Sequence, residues 1–348
     1  MGVTYWLAVA TIAVVLIFDY TNGFHDAANI VAQPIASRAM TPIQAVLVVG
    51  TFEFLGPLLG GTAVANTIGK FIVMDDIQAT LSMTIILCGC LGAITWNLAT
   101  WWYGIPSSSS HALVGGLVGP VVVSVGPEYV VWGFDQMLTT GKMTGVAKVI
   151  VALILSPIVG FWAGYIVHRL MGFALRGAKP VVNKYLRLGQ YVSSAGLAFS
   201  HGTNDAQKSM GIITMVLVMG GMIPEFKVPL WVILSCAAAI TLGILSGGWR
   251  IVRTIGFGIY KIRPLHAING QVTSASVILT ASLLGGPVST THVTSSGLMG
   301  IGASERARAV HWSKAREILT TWVLTIPGAA VAGIVFYLVF KLGDLVFG

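Results

Sequence analysis

Two short polar motifs, each present twice, interrupt a chain that is otherwise almost entirely apolar. The Asp motifs are Gly23-Phe24-His25-Asp26-Ala27 and, half a chain further on, Gly202-Thr203-Asn204-Asp205-Ala206. The Pro-Ser motifs are Pro106-Ser107-Ser108-Ser109-Ser110-His111 and Pro287-Val288-Ser289-Thr290-Thr291-His292. A carboxylate in apolar surroundings can bind a cation, hold a proton or accept a hydrogen bond from a ligand. Hydroxyls beside the free N–H groups of a helix start can bind an anion.

The composition places these motifs in a membrane. The chain has 348 residues, 55% hydrophobic and 9% charged, with a mean hydropathy of +0.84. A soluble domain carries about 25% charged residues. The apolar runs are continuous for about 20 residues, which predicts helices and excludes the alternating strands of a membrane barrel. The predicted fold class is therefore all-α, a multi-pass membrane protein.

Ten membrane segments are predicted, some of them broken or half-spans. They cover 4–37, 42–62, 80–103, 109–127, 146–168, 190–223, 229–249, 265–285, 287–303 and 317–340. Basic residues are concentrated in the loops that follow segments one, five and seven and precede segment ten. The excess of Lys and Arg on cytoplasmic loops assigns those loops to the cytoplasm and places both termini outside. The net charge of +8 thus orients the chain and does not indicate a nucleic-acid partner.

The duplication divides the chain into two repeats, residues 1–168 and 190–348, joined by a basic cytoplasmic linker, residues 169–189. With five spans in each repeat, the two Asp motifs enter the membrane from opposite sides. This is an inverted-topology repeat, typical of carriers that alternate access to a site near the bilayer midplane.

The Asp motifs supply the candidate sites for a coupling ion. Asp19, Asn22, Asp26 and Asn29 share one helical face, and Gly23 within that face is expected to open the helix. The second motif offers Asp205, with Gly202 as the corresponding break. Further candidates, which lie within or beside these segments, are Glu53, His25, His201 and Lys208. A purely structural role, with each Asp capping a half-helix or pairing with a basic neighbour, is the alternative for these acids.

The Pro-Ser motifs supply the candidate anion site, made of Ser107, Ser108, Ser109, Ser110, Ser289, Thr290 and Thr291. Pro106 suits the first turn of a helix, where its missing N–H costs nothing. His111 and His292 end the two motifs and are expected to donate to an anion, shuttle a proton or support a neighbouring helix. The alternative for each motif is an ordinary Ser or Thr helix cap.

The chain resembles the inorganic phosphate transporter (PiT) family along almost its whole length, especially its bacterial and archaeal low-affinity members. The resemblance is carried by residues 22–29, 200–208 and 287–302. It implies a symporter of inorganic phosphate in a prokaryotic plasma membrane, which forms a homodimer among membrane lipids. It also implies cation and phosphate sites at Asp26, Asn29, Asn204 and Asp205. A PhoU-like cytoplasmic regulator is a further partner that the family suggests, and no cofactor is expected.

The coupling ion is expected to be the proton, with sodium as the alternative. Sodium-coupled relatives tend to carry one glutamate in segment two and another in segment eight, whereas this chain has Glu53 and Gln271. Proton coupling would use Asp19, Glu53, Asp26 or Asp205. Sodium would bind at Asp26, Asn29, Asn204 and Asp205.

Several other functions fit the sequence less well. A sulfate or metal-phosphate carrier and an anion channel would use the same hydroxyls. An intramembrane hydrolase built on Ser110, with His111 or His201 and an Asp, would need one nucleophile oriented by one base. The clusters are instead duplicated, and the sequence has no Gly-x-Ser-x-Gly elbow. An enzyme is therefore not expected.

Overall fold

The structure, a computed structural model, describes residues 2–72 and 76–347. The described residues do not include Met1 and Gly348. These are the ends of the two predicted repeats and the termini that we expect to be extracellular. The described part is helical, with one isolated β-bridge between Ile72 and Val130 and no strand, which confirms the all-α prediction. The helices are α1 Gly2–Ala36, α2 Pro42–Leu59, α3 Ala63–Ile68, α4 Ala79–Trp102, α5 Ser109–Ser124, α6 Phe134–Thr140, α7 Gly145–Ala174, α8 Val182–Met219, α9 Leu230–Ser246, α10 Trp249–Arg253, α11 Pro264–Leu283, α12 Thr290–Arg306 and α13 Trp312–Phe347.

Five of the described helices, α1, α2, α4, α7 and α13, are long and apolar enough to cross a bilayer. A sixth span arises if α9 and the helical segment from Trp249 to Gly258 act together, although the chain bends by 60° between them. The helices α8 and α12 have lower mean hydropathy because the polar motifs lie within them. Each of the ten predicted segments overlaps one of these helices, and the number of complete spans stays a prediction.

The prediction that the Asp motifs open their helices is wrong. Both α1 and α8 run without a break through Gly23 and Gly202. The breaks lie instead between α2 and α3, at residues 60–62, and between α9 and α10, at Gly247 and Gly248. In the broken pairs the glycines end a helix, whereas in α1 and α8 they allow close helix packing.

Glycines bring the backbones of the central helices together in two crossed pairs, α1 on α9 and α8 on α2. A Cβ atom added at Gly23 would overlap the carbonyl oxygen of Ile240, and one added at Gly202 would overlap that of Glu53. The reverse contacts are equally close, since Gly243 lies against Tyr20 and Gly56 lies against Phe199. Small residues at such contacts are the usual means of packing helices in a membrane, where burial of apolar surface gives no net attraction.

The outer helices are crossed in the same way, since α5 packs on α13 and α12 packs on α7. Gly119 lies against Ala330 in the first pair, and Gly300 lies against Phe161 in the second. Helices from the two halves of the chain therefore enclose one common interior, in which the polar motifs lie.

Replacing Gly243 by Ala should destabilise the protein by about 1–3 kcal/mol, because the added methyl group overlaps the backbone of α1. The measurement is the thermal unfolding midpoint in detergent. Gly196→Ala is the matched control, because Gly196 is an exposed residue of α8 with open space around its Cα. An equal loss of stability in both variants would contradict the close-packing role of Gly243.

Candidate substrate and coupling-ion site

The helices α5 and α12 start beside the two Asp motifs. The side chain of Ser108 accepts a hydrogen bond from the backbone N–H of His111 at 3.2 Å, so Ser108 is the N-cap of α5. Ser289 caps α12 in the same way, with the N–H of His292 at 3.3 Å. The expectation that Pro106 occupies the first helical turn is wrong, because α5 begins at Ser109, after the cap. Ser108 and Ser289 hence serve the helix ends, and the hydroxyls that follow them reach the interior.

Asp26 collects hydroxyls from both halves of the chain. Ser109 of α5 and Thr290 of α12 each place a hydroxyl 3.2 Å from its Oδ2 atom. Thr291 lies 3.2 Å from Oδ1, and the Nδ1 atom of His25 lies 2.8 Å from the same oxygen. All of these side chains are buried, so the carboxylate is held by protein groups and not by bulk water.

Asp205 lies on the other side of Thr290. Its Oδ2 atom is 3.4 Å from the Thr290 hydroxyl and 3.4 Å from the side-chain nitrogen of Asn22. The ammonium of Lys208 lies 2.6 Å from its Oδ1 atom. Thr290 is therefore a hydroxyl shared between the two duplicated carboxylates.

His201 joins these carboxylates to a third acid. Its Nδ1 atom lies 2.6 Å from Glu53, and its Nε2 atom lies 3.6 Å from Asp205 and 3.9 Å from Asp26. One donor atom from each of Asp26, His201 and Asp205 falls within 4.8 Å of the others. The arrangement forms a buried line of titratable groups from Glu53 to both Asp motifs.

The remaining hydroxyl and amide candidates divide into those inside the cluster and those that support it. Asn29 donates to Thr291 at 2.9 Å, and so it fixes a hydroxyl that reaches Asp26. Ser107 lies 3.2 Å from His25 and 2.8 Å from Thr100, which orients the imidazole behind Asp26. Ser110 accepts from Lys208 at 2.5 Å.

The hydrogen bonds of the other predicted site residues do not reach the carboxylates of this cluster. The amide nitrogen of Asn204 donates to Ser282 at 2.8 Å and to the carbonyl of Gly286 at 3.1 Å, so it ties α8 to the segment before α12. Gln271 pairs with Ser193 at 2.5 Å. Asp19 is buried, and neither of its carboxylate oxygens has a hydrogen-bond partner among the described residues.

The imidazoles of His111 and His292 pack against each other. Their rings lie 4.6 Å apart, and His292 packs on Trp322 at 3.7 Å between ring centroids. Both residues line an apolar cavity of about 430 Å³ between α7 and α13. This geometry favours the supporting role among the three roles expected for them.

Sequence reasoning missed two groups of residues, one beside the cluster and one apart from it. Thr100 contacts both His25 and Ser107. Gln207 accepts a hydrogen bond from the backbone N–H of Val64 at 2.7 Å, and this bond holds the start of α3. Gln207 directly follows the second Asp motif and lies within residues 200–208, which carry the family resemblance. No feature of the sequence marks Thr100. A second group, His168, His266 and Glu305, lies where α7, α11 and α12 end or begin, apart from the duplicated motifs.

Residues 22–333 match the model of the phosphate transporter family, PHO4. The chain belongs to this family. Residues of both Asp motifs and both Pro-Ser motifs lie inside the matched range. The expected PiT resemblance is thereby confirmed, and the transporter descriptions of the family and its relatives agree with the expectation that the chain is not an enzyme.

Curated relatives of this family member extend over its whole length. It is 39% identical to a Bacillus subtilis protein described as "Probable low-affinity inorganic phosphate transporter", over 98% of this chain and 99% of the relative. A Rhizobium meliloti protein with the same description is 40% identical, over 95% and 96%. The fold is similar to that of a solved structure, "The sodium-dependent phosphate transporter", with a TM-score of 0.85, 23% identity and coverage of 97% and 99%.

Thr290→Val should weaken phosphate binding by about tenfold or more, because it removes a hydroxyl that reaches two charged groups. The measurement is equilibrium binding of radiolabelled phosphate to the purified protein. Thr214→Val is the matched control, since Thr214 is buried in α8 and its hydroxyl bonds to Met210 of its own helix. Unchanged phosphate affinity in Thr290→Val would remove Thr290 from the site.

Proposed function

We propose that this member of the phosphate transporter family is a symporter that couples inorganic phosphate to protons and alternates access to one central site. The observation that carries the proposal is the balance of buried charge. Asp19, Asp26, Glu53 and Asp205 are buried carboxylates, and Lys208 is the one buried Lys or Arg side chain among the described residues. Apart from His25 and His201, which carry charge only when protonated, this interior holds four acids and one base, so a phosphate anion would need positive charge to enter with it.

Phosphate would bind where the two helix starts meet. Ser109, Thr290 and Thr291 occupy the first turns of α5 and α12, and helix N-termini stabilise phosphate oxygens through free N–H groups and the helix dipole. The hydroxyls now bonded to Asp26 would turn to the anion. Ser107, Ser108, Ser110 and Ser289 complete the proposed phosphate motif by orienting or capping these turns.

The acids would distinguish phosphate from sulfate. Phosphate near neutral pH keeps a P–OH hydrogen, which Asp26 or Asp205 can accept. Sulfate has no such hydrogen at that pH, so an acceptor carboxylate repels it, which is discrimination by an unfavourable contact with the wrong ligand.

His201 and Glu53 support protons as the coupling ion. The imidazole lies within reach of Glu53 on one side and of Asp205 and Asp26 on the other, so a proton held at this group neutralises charge beside the proposed phosphate. Sodium at Asp26, Asn29, Asn204 and Asp205 is the alternative, and the similar solved structure is described as a sodium-dependent phosphate transporter. In that set, the side-chain nitrogen of Asn204 donates to Ser282 and Gly286, while its side-chain oxygen has no hydrogen-bond partner among the described residues.

The crossed helix contacts support the inverted repeat, with residues 1–168 and 190–348 as its halves and 169–189 as a cytoplasmic linker. Gly243 meets Tyr20 as Gly56 meets Phe199, and these two contacts correspond to each other, since Tyr20 matches Phe199 and Gly243 matches Gly56 in the two halves. Homodimer formation in a prokaryotic plasma membrane and a PhoU-like regulator are added by family resemblance. External termini are added from the distribution of Lys and Arg among the loops.

Proteoliposomes free of sodium should accumulate radiolabelled phosphate under an imposed inward proton gradient. A protonophore should abolish the accumulation, because the gradient supplies the positive charge that must enter with the anion. Excess sulfate should leave the uptake unchanged. Uptake that requires an inward sodium gradient and ignores the proton gradient would refute proton coupling and keep phosphate transport.

Glu53→Gln should reduce gradient-driven accumulation by about tenfold or more while phosphate–phosphate exchange continues, because the amide keeps the shape of the side chain and cannot carry the proton. The two rates are compared in the same proteoliposomes. Glu225→Gln, at an exposed acid, is the matched control. If exchange and accumulation fall together in Glu53→Gln, Glu53 has a binding or folding role instead.

A further inference from the structure

Lys208 is a fully enclosed ammonium group in the middle of the site. The residue is 1% exposed and lies one helical turn after Asp205 in α8. Its Nζ atom is 2.6 Å from Asp205, 2.5 Å from the hydroxyl of Ser110 and 3.3 Å from the backbone carbonyl of Val288. Three acceptor oxygens thus surround the group.

These three oxygens use the whole bonding capacity of the ammonium. A lysine side chain has three N–H donors and no acceptor. With one donor directed at each oxygen, none remains for a phosphate ion in this arrangement. Lys208 therefore acts on the protein's own oxygens and not as a direct ligand of the anion.

The three oxygens also form the kind of set that binds a hard monovalent cation. Carboxylate, hydroxyl and carbonyl oxygens are the ligands of hard cations in proteins. They come from three parts of the fold: α8, the first turn of α5 and the segment before α12. An ordinary ion pair would need Asp205 alone, whereas this group also draws together the starts of the two proposed phosphate-binding helices.

We infer that the ammonium of Lys208 occupies a monovalent-cation site, as a tethered cation that stays with the protein throughout transport. The inference rests on the proposed function, since it explains how a carrier of this fold would balance Asp205 without a sodium ion. It also gives Ser110 a role: its hydroxyl accepts from Lys208 and donates to the carbonyl of Val288, so it completes the oxygen shell.

Two substitutions separate the charge of Lys208 from the space that it fills. Lys208→Ala removes the charge and leaves a space beside the three oxygens. Lys208→Met removes the same charge but fills most of the same space with an unbranched apolar side chain. A free sodium ion should therefore bind to the alanine variant and not to the methionine variant or the unaltered protein.

The experiment measures binding of radioactive sodium to the three purified proteins, all prepared in sodium chloride and exchanged into a sodium-free buffer. Sodium should bind to Lys208→Ala at least about tenfold more tightly than to Lys208→Met, because only the alanine variant both removes the ammonium from Asp205 and leaves space for an ion there. Sodium should also raise the thermal unfolding midpoint of Lys208→Ala alone. If the alanine variant folds only while sodium is present and the methionine variant does not respond, that result supports the same site.

Two results would overturn the inference. Equal sodium binding to all three proteins would place the sodium site elsewhere, and no binding to Lys208→Ala would show that the oxygens do not form a cation site. Because the readout is sodium binding and not transport, it is independent of which gradient drives uptake in the unaltered protein. Failure of proton coupling and failure of the tethered-cation role are therefore observed separately.

Discussion

The structure depends on one constraint, the high free-energy cost of an unbalanced charge inside a membrane. Each carboxylate in the central cluster has a partner that reduces this cost: hydroxyls and His25 at Asp26, Lys208 at Asp205, and His201 at Glu53. The partners come from helices that are far apart in the sequence, so the cluster exists only when α1, α2, α5, α8 and α12 are all in place. The buried charges are therefore balanced only in the assembled fold.

Close backbone contact is what allows such short side chains to meet. Ser, Thr and Asp reach only a few ångströms from the backbone, so the helices that carry them must pack without large side chains between them. Gly23 and Gly202, within the Asp motifs, allow this close packing, because a methyl group at either position would overlap the backbone of the neighbouring helix. The same residues that suggested a helix break in the sequence therefore act as packing residues in unbroken helices.

Much of the site followed from the sequence because duplication is visible without a structure. The repeated motifs predicted that carboxylates and hydroxyls meet, and Asp26 does contact Ser109 and Thr290. Composition predicted the helical membrane fold. The detailed partners did not follow, because they depend on how helices cross. Nothing in the sequence says that Lys208 reaches Ser110, or that Asn204 turns toward Ser282. Segment four was predicted to begin at residue 109, where α5 does begin, whereas Pro106 lies before the Ser108 cap and not in the first helical turn.

The crossed contacts also reveal where the two halves differ. Gly202 lies against Glu53, whereas the corresponding Gly23 lies against Ile240, and the position of His201 corresponds to that of Asn22. The titratable pair is thus present at one of the two matching contacts and replaced by Asn and Ile at the other. A carrier with two identical halves would have the same half-saturation concentration for influx and for efflux. Under the proposed alternating access, an acid and an imidazole at only one of these contacts would give loading from the two faces of the membrane different rate constants, with the overall equilibrium unchanged.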